Sequence, residues 1–176
     1  MEQGTHHILS VLVENKFGVL TRVAGLFARR GYNIFSLAVS PTEDERYSRM
    51  TILVDGESAP IEQVTRQLNK LIPVISISEL SAADAVEREL MLVTIVAGQD
   101  ARSQATELAA IFEAKILDVG YESMTLMVAG QPEKLDAMTD LLEPFGIVEL
   151  QRTGRIALPK LSRQSSKLRV VKPGSA

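Results

Sequence analysis

At 176 residues the chain is long enough for one large domain or two small ones, and at 45% hydrophobic residues it is too apolar to be a disordered polypeptide. It has no cysteine and no tryptophan, which excludes disulfide frameworks and thiolate metal sites and suits a reducing cytoplasm. The net charge of −3 favours no class of partner by itself.

The opening MEQGTHHILS lacks the basic start and apolar run of a signal peptide. No apolar stretch is long enough to span a bilayer, so a soluble cytoplasmic protein is expected. Residues 8–13 are nearly all apolar and predict a strand buried on both faces. A short turn with Asn15 and Gly18 follows. Leu20, Val23, Ala24 and Phe27 then recur at helical spacing. Arg29 and Arg30 complement the negative end of that helix, and Gly31 supplies its C-cap. A second strand is predicted at 33–40, with Phe35, Leu37 and Val39 on one face and Ser36, Ala38 and Ser40 on the other. After a polar connection at 41–46 comes a strand at 48–54, with Met50, Ile52 and Val54 on one face. A helix at 60–71 has Ser58 as its candidate cap and Pro73 as its stop, and a strand follows at 74–80.

The order β-α-β-β-α-β is the ferredoxin-like plan, an antiparallel sheet with both helices on one face. Residues 81–87 are small and polar and read as a linker. The plan then repeats. A strand at 89–97 leads to a helix capped by Asp100 and carrying Ala105, Leu108, Ala109 and Phe112. Strands at 115–119 and 123–129 flank Gly120 and Tyr121. A helix at 132–142 starts on Pro132, and a strand at 147–151 closes the set. The fold class expected is α+β, two ferredoxin-like units in tandem at 1–80 and 88–154.

No acidic residue follows Glu149, whereas Arg152, Arg155, Lys160, Arg163, Lys167, Arg169 and Lys172 do. The rest of the chain then holds twelve basic residues against 22 acidic ones, a balance of −10. Residues 155–176 are therefore expected to form a basic, flexible tail.

No catalytic set stands out. His6 and His7 are neighbours in an extended segment and point to opposite faces, which prevents them from sharing a metal. Phosphate-binding glycine motifs are absent, so nucleotide binding has no support. Base-stacking aromatics are missing from the first and third strands, which argues against nucleic acid. The informative place is the turn at Asn15 and Gly18. The first amides of a helix lack partners within it, and the helix dipole puts partial positive charge there. Such a site suits a carboxylate, and an amide side chain beside it suits an ammonium. The second strand is an edge strand with neither charge nor proline from Asn33 to Ser40, so two copies are expected to pair there. A two-fold axis would bring Asn33 of one chain to the turn of the other.

The blocks ILSVLVENKFGVLTRVAGLFARRGYNI, SLAVSPT, SRMTI, QLNKL, VERELMLV and KLDAM occur in this order. The first unit resembles an ACT domain, the small module that binds amino acids. The succession of blocks, over residues 8–154, resembles the regulatory small subunit of acetolactate synthase. That resemblance implies a non-catalytic subunit, without a cofactor of its own. It would form a homodimer through the ACT domain, activate a catalytic large subunit and confer feedback inhibition by valine or a related branched-chain amino acid. The partner would hold thiamine diphosphate, magnesium and FAD. The resemblance further implies that Asn15, Gly18, Val19 and Leu20 meet the effector's charged groups, with Asn33 and Ile34 supplied by the neighbouring chain. Phe17, Phe35 and Ser40 depart from the family pattern, at positions that bear on effector identity and potency. Three other readings stand beside this one. A free-standing amino-acid sensor acting on another enzyme or on transcription would need a DNA-reading element if it acted on DNA, and the basic tail offers no recognition helix. A nickel-responsive regulator would need metal ligands, and the second half has neither His nor Cys. A small enzyme on the same fold would turn over pyruvate alone.

Overall fold

The computed structural model describes residues 6–55, 60–81 and 83–161. The first unit contains β1 (His6–Glu14), α1 (Val19–Arg30), β2 (Ile34–Pro41), β3 (Tyr47–Asp55), α2 (Ile61–Leu68) and β4 (Val74–Leu80). The second contains β5 (Ala85–Val96), α3 (Gln99–Ile111), β6 (Lys115–Val119), β7 (Ser123–Gly130), α4 (Pro132–Leu142) and β8 (Ile147–Arg152). A short strand, β9 (Ile156–Pro159), follows. The sheets run β2-β3-β1-β4 and β6-β7-β5-β8, the same antiparallel ferredoxin-like order twice.

Each sheet buries one face under its two helices. Leu9, Val11 and Val13 alternate inward on β1, as do Met50, Ile52 and Val54 on β3. Val19, Val23, Leu26 and Phe27 meet them from α1 at positions i, i+4, i+7 and i+8, the stripe a helix needs to lie on a core. The second core repeats the arrangement, with Met91, Val93 and Ile95 of β5 under Ala105 and Ala109 of α3 and Leu135, Met138 and Leu142 of α4.

Four local expectations are corrected. Phe35 does not share a face with Leu37 and Val39. The pairing of β2 with β3 slips between Ile34 and Ser36, so a bulge puts Ile34 and Leu37 together against the core. Phe35 is left exposed, its ring 4.3 Å from that of His6. Asp100 is not a cap: α3 starts from Gly98, and Asp100 lies in the first turn, where its charge meets the helix dipole. α2 ends at Leu68 rather than 71, with a turn carrying the chain into β4, and Ser58 lies outside the described residues.

The fourth correction concerns the linker and the tail. Residues 85–88 belong to β5, and β9 pairs them in the register Ala85 to Pro159, Val86 to Leu158, Glu87 to Ala157 and Arg88 to Ile156. The reason is burial. Ala85 and Ala157 pack on Ile8, Leu53 and Leu80, which project from the helix-free face of the first sheet. The Lys160 amide donates to the Asp84 carbonyl at 2.7 Å and fixes the ribbon's end. The rest of the tail, 162–176, lies outside the described residues.

The two units also meet at the β8–β9 turn. The Arg155 amide donates to Ser36 Oγ at 3.2 Å. Gly154 has φ +80°, and a Cβ there would lie 2.6 Å from Ser36 Oγ and 3.5 Å from the Leu37 backbone. Only glycine permits that approach. Beside it, Arg152 donates to Glu89 at 2.6 Å and also to Asp136. Partial burial opposes the charge on Arg152, but the hydrogen bonds from its guanidinium to Glu89 and Asp136 outweigh it and hold its pKa above the ordinary arginine value.

Candidate functional site

The turn from β1 into α1 is built to leave helix amides free. Gly18 is the N-cap residue and takes φ +80°, the left-handed region, so the chain turns sharply into the helix. No side chain caps the helix. The Val19 amide donates to the Lys16 carbonyl at 3.3 Å. Those of Gly18, Leu20 and Thr21 meet no acceptor among the described residues. No acidic residue occupies the first turn, and nothing lies within 4 Å of the place a Gly18 Cβ would take. The result is an open, partly positive helix start.

Asn15 is locked beside it. Its backbone amide donates to the Arg46 carbonyl at 2.7 Å, and its Nδ2 donates to the Glu45 carbonyl at 2.9 Å. Oδ1 therefore points away from those carbonyls and has no donor among the described residues. The loop that holds Asn15 is itself braced. Arg46 forks onto Asp44, with Nε at 2.9 Å from Oδ1 and Nη2 at 2.6 Å from Oδ2. Those side-chain hydrogen bonds hold the Asp44 carboxyl below its ordinary pKa. This bracing loop was not foreseen from the sequence, because residues 30 apart had to meet.

The remaining expected residues divide. The Val19 side chain belongs to the core, so only its backbone faces the turn. Leu20 is 45% exposed and presents an aliphatic surface next to the free amides. Asn33 is exposed just before β2, and Ile34 is half-buried at its start. Within one chain these two do not join Asn15 and Gly18. Ile34 pairs with Val54 at one end of β3, whereas Tyr47, at the other end, pairs with Glu14. Eight residues of β2 separate the two places by about 25 Å. A second β2 laid antiparallel on the free edge would reverse that distance and bring Asn33 of one chain to the Pro41 end of the other. The β2 edge is open to such pairing, with Phe35 and Val39 exposed.

His6 and His7 behave as separate residues: His6 meets Phe35, and His7 Nδ1 lies 3.0 Å from Glu79. Among the described residues no group of three potential ligands is close enough to hold a metal. No helix of the described residues is long and apolar enough to cross a membrane.

Comparison with known proteins assigns both halves. Residues 9–76 match the family model described as "AHAS small subunit-like ACT domain", and residues 88–161 match that described as "Small subunit of acetolactate synthase". The acetolactate synthase small subunit of Mycolicibacterium smegmatis is 50% identical over 161 residues, 91% of this chain and 95% of that protein. A probable acetolactate synthase small subunit of Archaeoglobus fulgidus is 50% identical over 152 residues, 86% of this chain and 95% of that one. The crystal structure of the small subunit from Thermotoga maritima superposes with a TM-score of 0.83 at 36% identity, covering 90% of this chain and 99% of that one. An ACT unit followed by a second ferredoxin-like unit is thus the architecture of a solved acetolactate synthase small subunit, and the chain belongs to the acetolactate synthase small subunit family.

Proposed function

We propose that this chain activates the catalytic large subunit of acetolactate synthase and makes it sensitive to valine or a related branched-chain amino acid. The observation that carries the reading is the uncapped helix start at Gly18, Leu20 and Thr21, preceded by an Asn15 that the Glu45 and Arg46 carbonyls hold in place. The free amides suit the effector's carboxylate and Asn15 Oδ1 its ammonium. Leu20, with Ile34 of a second chain, suits the aliphatic side chain. In this reading the working form is a homodimer joined through β2, in the cytoplasm, without a cofactor of its own. Thiamine diphosphate, magnesium and FAD belong to the large subunit, which joins two pyruvates or pyruvate and 2-oxobutyrate.

Regulation then follows from linkage. The effector favours one arrangement of the dimer, and that arrangement supports the catalytic subunit less well. The catalytic subunit must change effector affinity by the same factor. The second unit takes part because Gly154 and Arg155 sit on Ser36 and Leu37, in the strand that begins with Ile34. One methylene in an aliphatic pocket changes binding by about 1–3 kcal/mol, so valine, leucine and isoleucine should inhibit with graded potency. The test is acetolactate formation by the cognate large subunit with and without this chain, followed by titration with each amino acid. Activation followed by graded inhibition is expected. Activation that no branched-chain amino acid reverses would remove the effector part of the reading.

A further inference from the structure

The ribbon of residues 85–88 and β9 covers only part of the helix-free face of the first sheet. Its inner residues, Ala85 and Ala157, lie on Ile8, Leu53 and Leu80. β9 itself contacts β1 and β4. On the β2 and β3 side of that face Ala38 lies beside Thr51 and Ser40 beside Arg49, with Ser40 exposed and Thr51 buried. Between this floor and the ribbon runs a trough of about 540 Å³. Val86, Ile156 and Leu158 wall it, and the last two are 58% and 59% exposed. Apolar side chains gathered in this way mark a surface that another molecule covers.

The trough also carries charge. Arg49 and Arg88 both line it. Arg49 donates to Ser10 Oγ at 3.1 Å and Arg88 to the Glu87 carbonyl at 2.6 Å. Among the described residues neither meets a carboxylate, in contrast with Arg46, Arg152 and Arg155. The occupant must therefore join aliphatic and acidic groups. The chain's own residues 162–176 do not suit it, since they hold Arg163, Lys167, Arg169 and Lys172 and no acid. A second copy set trough to trough about a two-fold axis would bring only the same lining to the contact, with Arg49 and Arg88 and no acid. A second copy joined edge to edge through β2 would leave it open.

We propose that the trough docks a segment of the catalytic large subunit in which aliphatic side chains lie on Ile156 and Leu158 and a carboxylate is forked by Arg49 or Arg88. This rests on the reading of the chain as a subunit of that enzyme. The floor comes from the first unit and the wall from the second, so the docked segment would feel any change in their relative placement. β2 supplies both the floor and the edge at which the effector residues begin, which links docking to effector binding through one strand.

The full chain is titrated into its purified cognate large subunit by calorimetry, at low and raised salt, as wild type, R88E and L158N. Both altered residues are exposed, and circular dichroism checks that each variant folds. The inference expects at least tenfold weaker binding for each variant. It also expects a salt dependence that R88E reduces, because charge pairs at a rim are screened. Binding of both folded variants at wild-type strength overturns it. So does a change in oligomeric state of R88E without the large subunit, which would make a second copy the occupant. Wild-type-strength binding by R88E together with weakened binding after removal of residues 162–176 would also overturn it, by placing the contact in the tail. Failure of the wild type itself to bind would instead bring down the subunit reading on which the inference stands.

Discussion

The two units share a fold, strand order and pattern of core burial, yet their first helices start differently. α1 begins at a left-handed glycine with open space above it and three amides that meet no acceptor among the described residues. α3 begins at Gly98 with φ −65°, and Glu122 Oε2 stands 3.0 Å from where a Cβ would project. Arg102, one turn in, donates to the carbonyls of Ala97, Gly120 and Tyr121 at 3.1, 2.6 and 2.9 Å. The approach to the second start is crowded by Glu122 and tied by Arg102, whereas the first is open, although at both the leading amides, Gln99 and Asp100 as well as Leu20 and Thr21, meet no acceptor among the described residues. The edge strands differ in the same sense: β6 carries Lys115 and Asp118, whereas β2 carries no charge. A ferredoxin-like fold therefore does not make a site; the furnishing of one loop and one edge does.

The largest way to break this contrast is Gly18→Val. Valine strains the left-handed turn and covers the amides, so effector binding by calorimetry should weaken about a hundredfold. Full valine sensitivity in this variant would remove the pocket assignment. Arg152→Ala comes next. It strands the buried Glu89 without its partner, and urea unfolding should register a loss of about 3 kcal/mol. The exposed Asp44–Arg46 pair of the first unit should give no measurable change in the same assay when Arg46 becomes Gln. Gly154→Ala should cost about 1–3 kcal/mol and blunt inhibition more than activation, since it pushes the second unit off Ser36. Glu122→Ala should cost less than Gly154→Ala, under about 1 kcal/mol. Removing that carboxylate sharpens the comparison: effector stoichiometry should stay at one per chain, because Arg102 still ties the turn to α3.

Much of this was legible in the sequence because periodicity reports burial. The alternation of β3 and the helical stripe of α1 each follow directly from which side chains are covered. The helix start at Gly18 was legible for a similar reason, since Asn and Gly announce a turn and the helical spacing begins at once. What escaped depends on partners far along the chain. β9 has four residues, too few for a period to stand out, and it is a strand only because Ala157 finds Ile8 and Leu53. The bulge at Phe35 leaves no mark in composition. The bracing of Asn15 by the carbonyls of Glu45 and Arg46, and the tie from Arg102 to the carbonyls of Gly120 and Tyr121, are tertiary contacts that no local spacing encodes.

The most direct measurement follows backbone amide resonances of the full chain as valine is added. The amides of Gly18, Leu20 and Thr21 should shift together and saturate, Asn33 should move with them, and Gln99 and Asp100 at the start of α3 should stay still. Saturable shifts at the start of α3 with Gly18, Leu20 and Thr21 unmoved would contradict the account.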